Sequence, residues 1–205
     1  MQGVDARHMG IELDFVMKPF QWLDINGMFS LGDWRWDCNA NGYFYNLAGE
    51  PMKDTKGGIA SGNGAEDHAK ATFNMDNIHV GGAAQTTAAL GVNVRPMKGV
   101  RVGLDWNLYA RSYADFNVSA SSLAPNVELE VKEPWRIPTY STFDLSAGYS
   151  FDFGKVRANL SGNINNLFNQ EYIADAYDGG GTWDTAYRVL YGFGRTYTVR
   201  FKFSF

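Results

Sequence analysis

The sequence predicts an all-β fold, an antiparallel meander of about seven long strands that forms a section of a transmembrane β-barrel wall. Three observations predict it. Apolar and polar residues alternate with period two over long stretches, which marks strands with two unlike faces. The connections alternate strictly between short and long. The last segment sets Val199, Phe201, Phe203 and Phe205 against Thr198, Arg200, Lys202 and Ser204. That pattern suits lipid on one face and a wet lumen on the other.

Each strand can be justified in turn. From about 8 to 17, Ile11, Leu13, Phe15 and Met17 alternate with Gly10, Glu12 and Asp14. From about 22 to 36, Leu23, Ile25, Phe29 and Leu31 make the apolar face. A third segment from about 78 to 94 is regular only in Leu90, Val92 and Val94. The fourth opposes Val100, Val102, Leu104, Trp106 and Leu108 to Arg101, Gly103, Asp105, Asn107, Tyr109 and Arg111. The fifth opposes Phe143, Leu145, Ala147, Tyr149 and Phe151 to Asp144, Ser146, Gly148, Ser150 and Asp152. The sixth opposes Val156, Ala158, Leu160 and Ile164 to Arg157, Asn159, Ser161, Asn163 and Asn165. The seventh runs from about 191 to 205. Short connections fall at 18–21, 95–99 and 153–154. Long polar ones fall at about 37–77, 112–140 and 168–190. Outer-membrane barrels have this asymmetry, with short periplasmic turns and long outer loops. Any helix is expected only in the long loops.

Composition agrees without deciding. A mean hydropathy of -0.30 and 20% charged residues hide a barrel, because only alternate residues face lipid. Aromatics at 15% and 23 glycines fit interfacial girdles and turns. A net charge of -4 argues against nucleic-acid binding. Seven strands place the C-terminus on the periplasmic side and the N-terminus outside. An odd number does not close a single-chain bacterial barrel. The residues from Met1 to Arg7 lack the features of a secretory signal. The chain is therefore expected to be the C-terminal portion of a larger barrel, its first and seventh strands being edges. A small standalone outer-membrane barrel, as adhesin or pore, and a soluble β-sandwich binding module are the alternatives. Odd strand count weighs against the first, loop asymmetry and Phe205 against the second.

Longer motifs add a family. Asn163 to Ile173 reads N-I-N-N-L-F-N-Q-E-Y-I, and Tyr191 to Thr196 reads Y-G-F-G-R-T. Together they resemble the closing strands of a TonB-dependent outer-membrane receptor. Gly10-Ile-Glu-Leu-Asp14 with Lys18-Pro19 resembles a strand and turn found earlier in such barrels. The runs Phe29 to Trp36 and Ala84 to Ala88 resemble receptors of the Bacteroidetes type. The resemblance implies active uptake of a scarce nutrient, such as a metal chelate, cobalamin or a glycan. It implies a plugged barrel of about 22 strands. The implied partners are outer-membrane lipid and lipopolysaccharide, the rest of the barrel and its plug, and a TonB-type energy-transducing complex that pulls on the plug. Barrel-assembly machinery would read the last strand at Tyr197, Val199, Phe201, Phe203 and Phe205.

Candidate ligand residues are aromatic. Trp34, Trp36, Tyr43 and Tyr45 flank the first long loop. They would stack on a sugar, haem or aromatic chelate, or else sit in the interfacial aromatic belt. Trp135, Tyr177 and Trp183 lie inside long loops, where binding and loop packing are both open. Arg101, Asp105, Asp144, Arg157, Arg200 and Lys202 are expected on the lumen face. Arg195 falls on the apolar face near the outer end, where headgroups would receive it. Nothing points to an enzyme, a cofactor or a metal. His8, His68 and His79 are not spaced as ligands, Cys38 has no nearby His, and Asp178 to Asp184 lacks the spacing of an EF-hand loop. The glycine-rich run 57–64 and the cluster Glu66-Asp67-His68 read as solvated loop.

Overall fold

A computed structural model describes residues 4–55, 58–61, 69–115, 128–178 and 187–205. Glu66 to His68, residues 57 and 62–64 of the glycine-rich run, and residues 179–184 with Trp183 lie outside the described residues. The strands, in chain order, are β1 (Ala6–Phe20), β2 (Leu23–Trp36), β3 (Asn39–Tyr43), β4 (Met52–Thr55), β5 (Gly58–Ser61), β6 (Lys70–Asn74), β7 (Ala84–Val94) and β8 (Val100–Tyr113). They continue with β9 (Glu128–Glu130), β10 (Arg136–Ile137), β11 (Tyr140–Phe153), β12 (Val156–Asn165), β13 (Ile173–Asp178), β14 (Tyr187–Tyr191) and β15 (Thr196–Ser204). No helix occurs among the described residues.

The seven long strands form one antiparallel sheet in the order β1-β2-β7-β8-β11-β12-β15, with β10 added beside β8. Every step along that path joins strands adjacent through the expected connections. The chain thus meanders, and β1 and β15 are the edges. The third strand begins at Ala84 rather than near Ile78. Residues 78–80 still pair with the end of β2, through Trp36 N–H to Ile78 O and Val80 N–H to Trp34 O, each 2.9 Å. Residues 81–83 loop out between the two stretches. The seventh begins at Thr196, because Tyr187–Tyr191 pairs with Ile173–Asp178 instead.

Register determines the faces. Directly paired residues share a face in an antiparallel sheet. One row runs Met17, Ile25, Val92, Leu104, Leu145, Ile164 and Tyr197 across all seven strands. A neighbouring row runs Phe15, Gly27, Leu90, Trp106 and Phe143. The opposite face carries Asn26, Gly91, Asp105 and Asp144 in one row and Arg101, Gly148, Ser161 and Arg200 in another. Val102, Leu104, Trp106, Phe143, Leu145, Tyr149, Phe201 and Phe203, from the apolar sets of the fourth, fifth and seventh segments, share one side, and Arg101, Asp105, Asp144, Arg157, Arg200 and Lys202 share the other. The apolar face is solvent-exposed in the isolated sheet, with Leu13 at 64% and Phe201 at 53%. Burying such a face in water would require a second layer, whereas lipid covers it directly.

Short turns hold the register at one end. Gly154 has φ of 62° at the first centre of the two-residue loop between β11 and β12. Such turns match the right-handed twist of the flanking strands. Arg95 donates to the Asp24 carboxylate and to Gln21 O, tying the first short turn to the end of β7.

The long connections are not plain polar loops. The described core of the chain lies there, not in the wall. Ala40, Ala71, Phe73, Met75, Ile78 and Val131 bury together, with Trp36, Phe44 and Leu129 packed on them. The sheet β3-β6-β9 frames this cluster, its β6–β9 pair being parallel. A second cluster joins Ala114, Ile137 and Ala176 with Trp135, Ile173 and Val189. The physical reason is simple. A single sheet is one residue thick and keeps no apolar interior, so segments that extend beyond its strand ends must build their own.

Candidate functional site

The polar face carries an aromatic cleft toward the long-loop end. Tyr109 on β8 and Tyr140 on β11 are register partners and stack at 5.0 Å between centroids. Tyr172, from the connection after β12, stacks on Tyr140 at 4.2 Å. Asn107, Thr142, Asp144, Asn165, Asn166, Phe193 and Thr196 complete a cleft of about 330 Å³. Burial, then Tyr109 and the Asp144 carboxylate, hold the Tyr172 phenol above the ordinary tyrosine value. It therefore stays a neutral donor at physiological pH. Flat rings beside a carboxylate and several amides can stack on a planar group and hydrogen-bond its rim.

The asparagine motif builds this cleft. Asn166 and Asn169 hold φ of 52° and 53°, a region in which asparagine is among the few tolerated side chains. The buried Asn166 amide donates to Gln170 O (2.9 Å) and Phe193 O (3.3 Å) and accepts from Gln170 N–H (2.8 Å). Its own N–H donates to Asp144 Oδ1 at 2.7 Å. Asn169 Oδ1 accepts from Arg195 N–H at 2.8 Å. Gly192 completes the clasp, since a Cβ there would collide with the Tyr172 ring. These residues close the β12 connection onto the segment before β15 and aim Tyr172 at Tyr140.

A second cluster ties the long connections to the wall. His79 stacks on Tyr113 at 4.1 Å and is nearly buried. Arg35 Nη2 lies 3.0 Å from its Nε2. A guanidinium only donates, so Nε2 accepts and Nδ1 carries the proton toward Glu133. Arg35 also binds Asp33 Oδ1 at 3.0 Å and Asn77 O at 2.9 Å. Gln85, 1% exposed, extends the β2 ladder with its side chain. Its amide accepts from Trp34 N–H and donates to Trp34 O, at 3.1 and 3.0 Å.

The aromatic residues singled out in the sequence do not converge on one site. Trp34 and Trp36 lie on the polar face of β2, paired with His8 and Ala6, not on the lipid face. Trp34 stacks on His8 at 5.2 Å. Trp36 packs on the first loop core and Trp135 on the second. Tyr43 ends β3, Tyr45 bridges to Pro51, and Tyr177 bridges to Asp115. Trp183 lies outside the described residues. Tyr197, Val199, Phe201 and Phe203 share the apolar face of edge strand β15, and Phe205 follows them. Arg195 donates to the Tyr197 hydroxyl at 3.4 Å. Sequence reading missed Tyr109, Tyr140 and Tyr172. The available signal was a tyrosine on an otherwise polar face, Tyr109 opposite the strand's apolar residues. Among the described residues no group of three His, Cys, Asp or Glu is placed to hold a metal ion.

Comparison with known proteins follows the same lines. The sequence model of the family described as TonB dependent receptor-like, beta-barrel matches residues 2–167. No curated protein matches the sequence. The siderophore receptor PiuA from Acinetobacter baumannii is similar in structure, with a TM-score of 0.57 and 16% identity over 96% of this chain and 21% of that one. The copper transporter OprC gives a TM-score of 0.57 and 19% identity over 98% of this chain and 24% of that one. At these identities the likeness is one of fold. The chain spans less than a quarter of either solved receptor.

Proposed function

Because this chain belongs to the TonB dependent receptor-like β-barrel family, we propose that it forms the C-terminal part of the barrel of an active-uptake receptor in the outer membrane. The ligand is a scarce nutrient of the metal-chelate, cobalamin or glycan kind. The observation that carries the reading is the two-faced open sheet. One apolar face is continuous over seven strands, the other is polar and bears the tyrosine cleft at its long-loop end. Solved structures of similar fold named as a siderophore receptor and a copper transporter support uptake as the activity.

In this reading the cleft of Tyr109, Tyr140 and Tyr172 faces the lumen and meets ligand after the outer segments admit it. Trp34, Trp36, Tyr43, Tyr45, Trp135 and Tyr177 shape or line the outer entrance rather than one pocket, and Trp183 remains a candidate ligand residue. Edge strand β15 presents Tyr197, Val199, Phe201, Phe203 and Phe205 to the assembly machinery, with the C-terminus periplasmic. Lipopolysaccharide meets the outer rim near Arg195. A TonB-type complex acts through the plug, not through this wall.

The test uses the intact receptor that contains this chain. Binding of ferric chelates, cobalamin and oligosaccharides is measured on cells, with and without a dissipated inner-membrane gradient. One class should bind and be taken up only when the gradient is intact. Tyr140→Ala should weaken its binding about tenfold or more, the scale of a buried aromatic contact. Gradient-independent passage of unrelated solutes would instead identify a passive pore.

A further inference from the structure

The polar face has a second recess, which adjoins the tyrosine cleft on its short-turn side along β11, β12 and β15. Arg101 is the second residue of β8, beside the short turn, and Arg200 is the middle residue of β15. The row that joins them passes through Gly148 and Ser161. Three strand spacings put the two Cα atoms roughly 14 Å apart. Both arginines line the same recess of about 160 Å³, with Ser146, Ser161, Asn163 and Thr198 supplying hydroxyls and an amide.

No described residue pairs with Arg101 or Arg200. Arg157, two rows away, is different, held by Asp152 at 2.8 Å. Lys202 occupies the next row beside Arg200 and adds positive charge. The carboxylates Asp105 and Asp144 sit two rows further toward the long loops. A guanidinium does not deprotonate, so two of them lining one recess hold a persistent positive potential. Their forked donors match the oxygens of a carboxylate or phosphate.

We propose that Arg101 and Arg200 form an oxyanion seat on the lumen wall. Its occupant is a carboxylate or phosphate group clamped between the two guanidiniums above Gly148 and Ser161. The group comes from an acidic side chain elsewhere in the receptor or from a free anion in the lumen.

Arginine footprinting with phenylglyoxal and mass spectrometry tests this on the intact receptor in lipid nanodiscs, comparing the Arg101 rate in the wild-type and Arg200→Gln receptors. If the receptor supplies the carboxylate, Arg101 reacts about tenfold slower in the wild type than in Arg200→Gln in phosphate-free buffer, as expected for a mostly occupied clamp. If the anion is free, the two rates are equal until millimolar inorganic phosphate slows the wild type by a similar factor, and Arg200→Gln abolishes that protection. Lys202→Gln, which leaves the recess lining intact, keeps the protection in either case. An Arg101 rate that neither Arg200→Gln nor phosphate changes overturns the seat, and slow modification in both receptors is then steric cover rather than a shared anion.

Discussion

Leu104→Arg tests the assignment of the apolar face to lipid. Leu104 sits between its register partners Val92 and Leu145, in the row that crosses all seven strands. Its strand runs from Val100 to Tyr113. Leu104 lies between two and three residues from the strand's centre. At about 3.3 Å rise per residue and a tilt near 40°, that is roughly 6 Å from the midplane. Arginine costs about 2–4 kcal/mol at the midplane and about 0–1 near the interfaces. Intermediate depth gives about 2 kcal/mol for Leu104→Arg. The matched control is Asn26→Arg, on the polar face in the row that contains Asp105. A wet lumen and a nearby carboxylate should hold its cost to about 0.5 kcal/mol or less. Both are measured by reversible denaturant titration of the intact receptor in lipid vesicles. Equal costs for the two substitutions would show that the faces do not see different solvents. A near-neutral Leu104→Arg would refute the lipid assignment outright.

Other substitutions probe the elements that position the cleft and outer core. Asn166→Gly keeps the left-handed backbone but removes three hydrogen bonds, and should cost about 1–3 kcal/mol of local stability. Asn166→Ala adds backbone strain of about 1 kcal/mol, so hydrogen exchange across 166–170 should be faster in Ala than in Gly. Gly192→Ala should displace Tyr172 and weaken ligand binding while leaving receptor abundance near normal, read by binding per surface-labelled molecule. Phe73→Ala should loosen the outer core by about 3–5 kcal/mol. Exchange should accelerate at 70–79 but not at the wall amides of β8 and β11, since the two regions share no core.

Much of the wall was legible in the sequence because a strand's geometry is local. Successive side chains point to opposite faces, so Val100 to Arg111 declares both faces without reference to any partner. The short turns at 95–99 and 153–154 then force neighbouring strands into antiparallel pairs, and the edges β1 and β15 follow from the order. The asparagine motif was legible as a family mark but not as a device. Its work depends on Phe193 and Arg195, more than twenty residues on, meeting Asn166 and Asn169 in space. The outer segments were read as polar connections because their apolar residues, Phe73, Met75, Ile78 and Val131, carry no clean period. Only tertiary structure brings β6 beside β9, more than fifty residues apart in sequence, and so creates a core. The same holds for the site. Tyr109, Tyr140 and Tyr172 come from three elements, and Arg101 and Arg200 from strands ninety-nine residues apart. Alternation tells which face each occupies. Which of them share a row is set by sheet register, a property of pairs of strands that no single strand encodes.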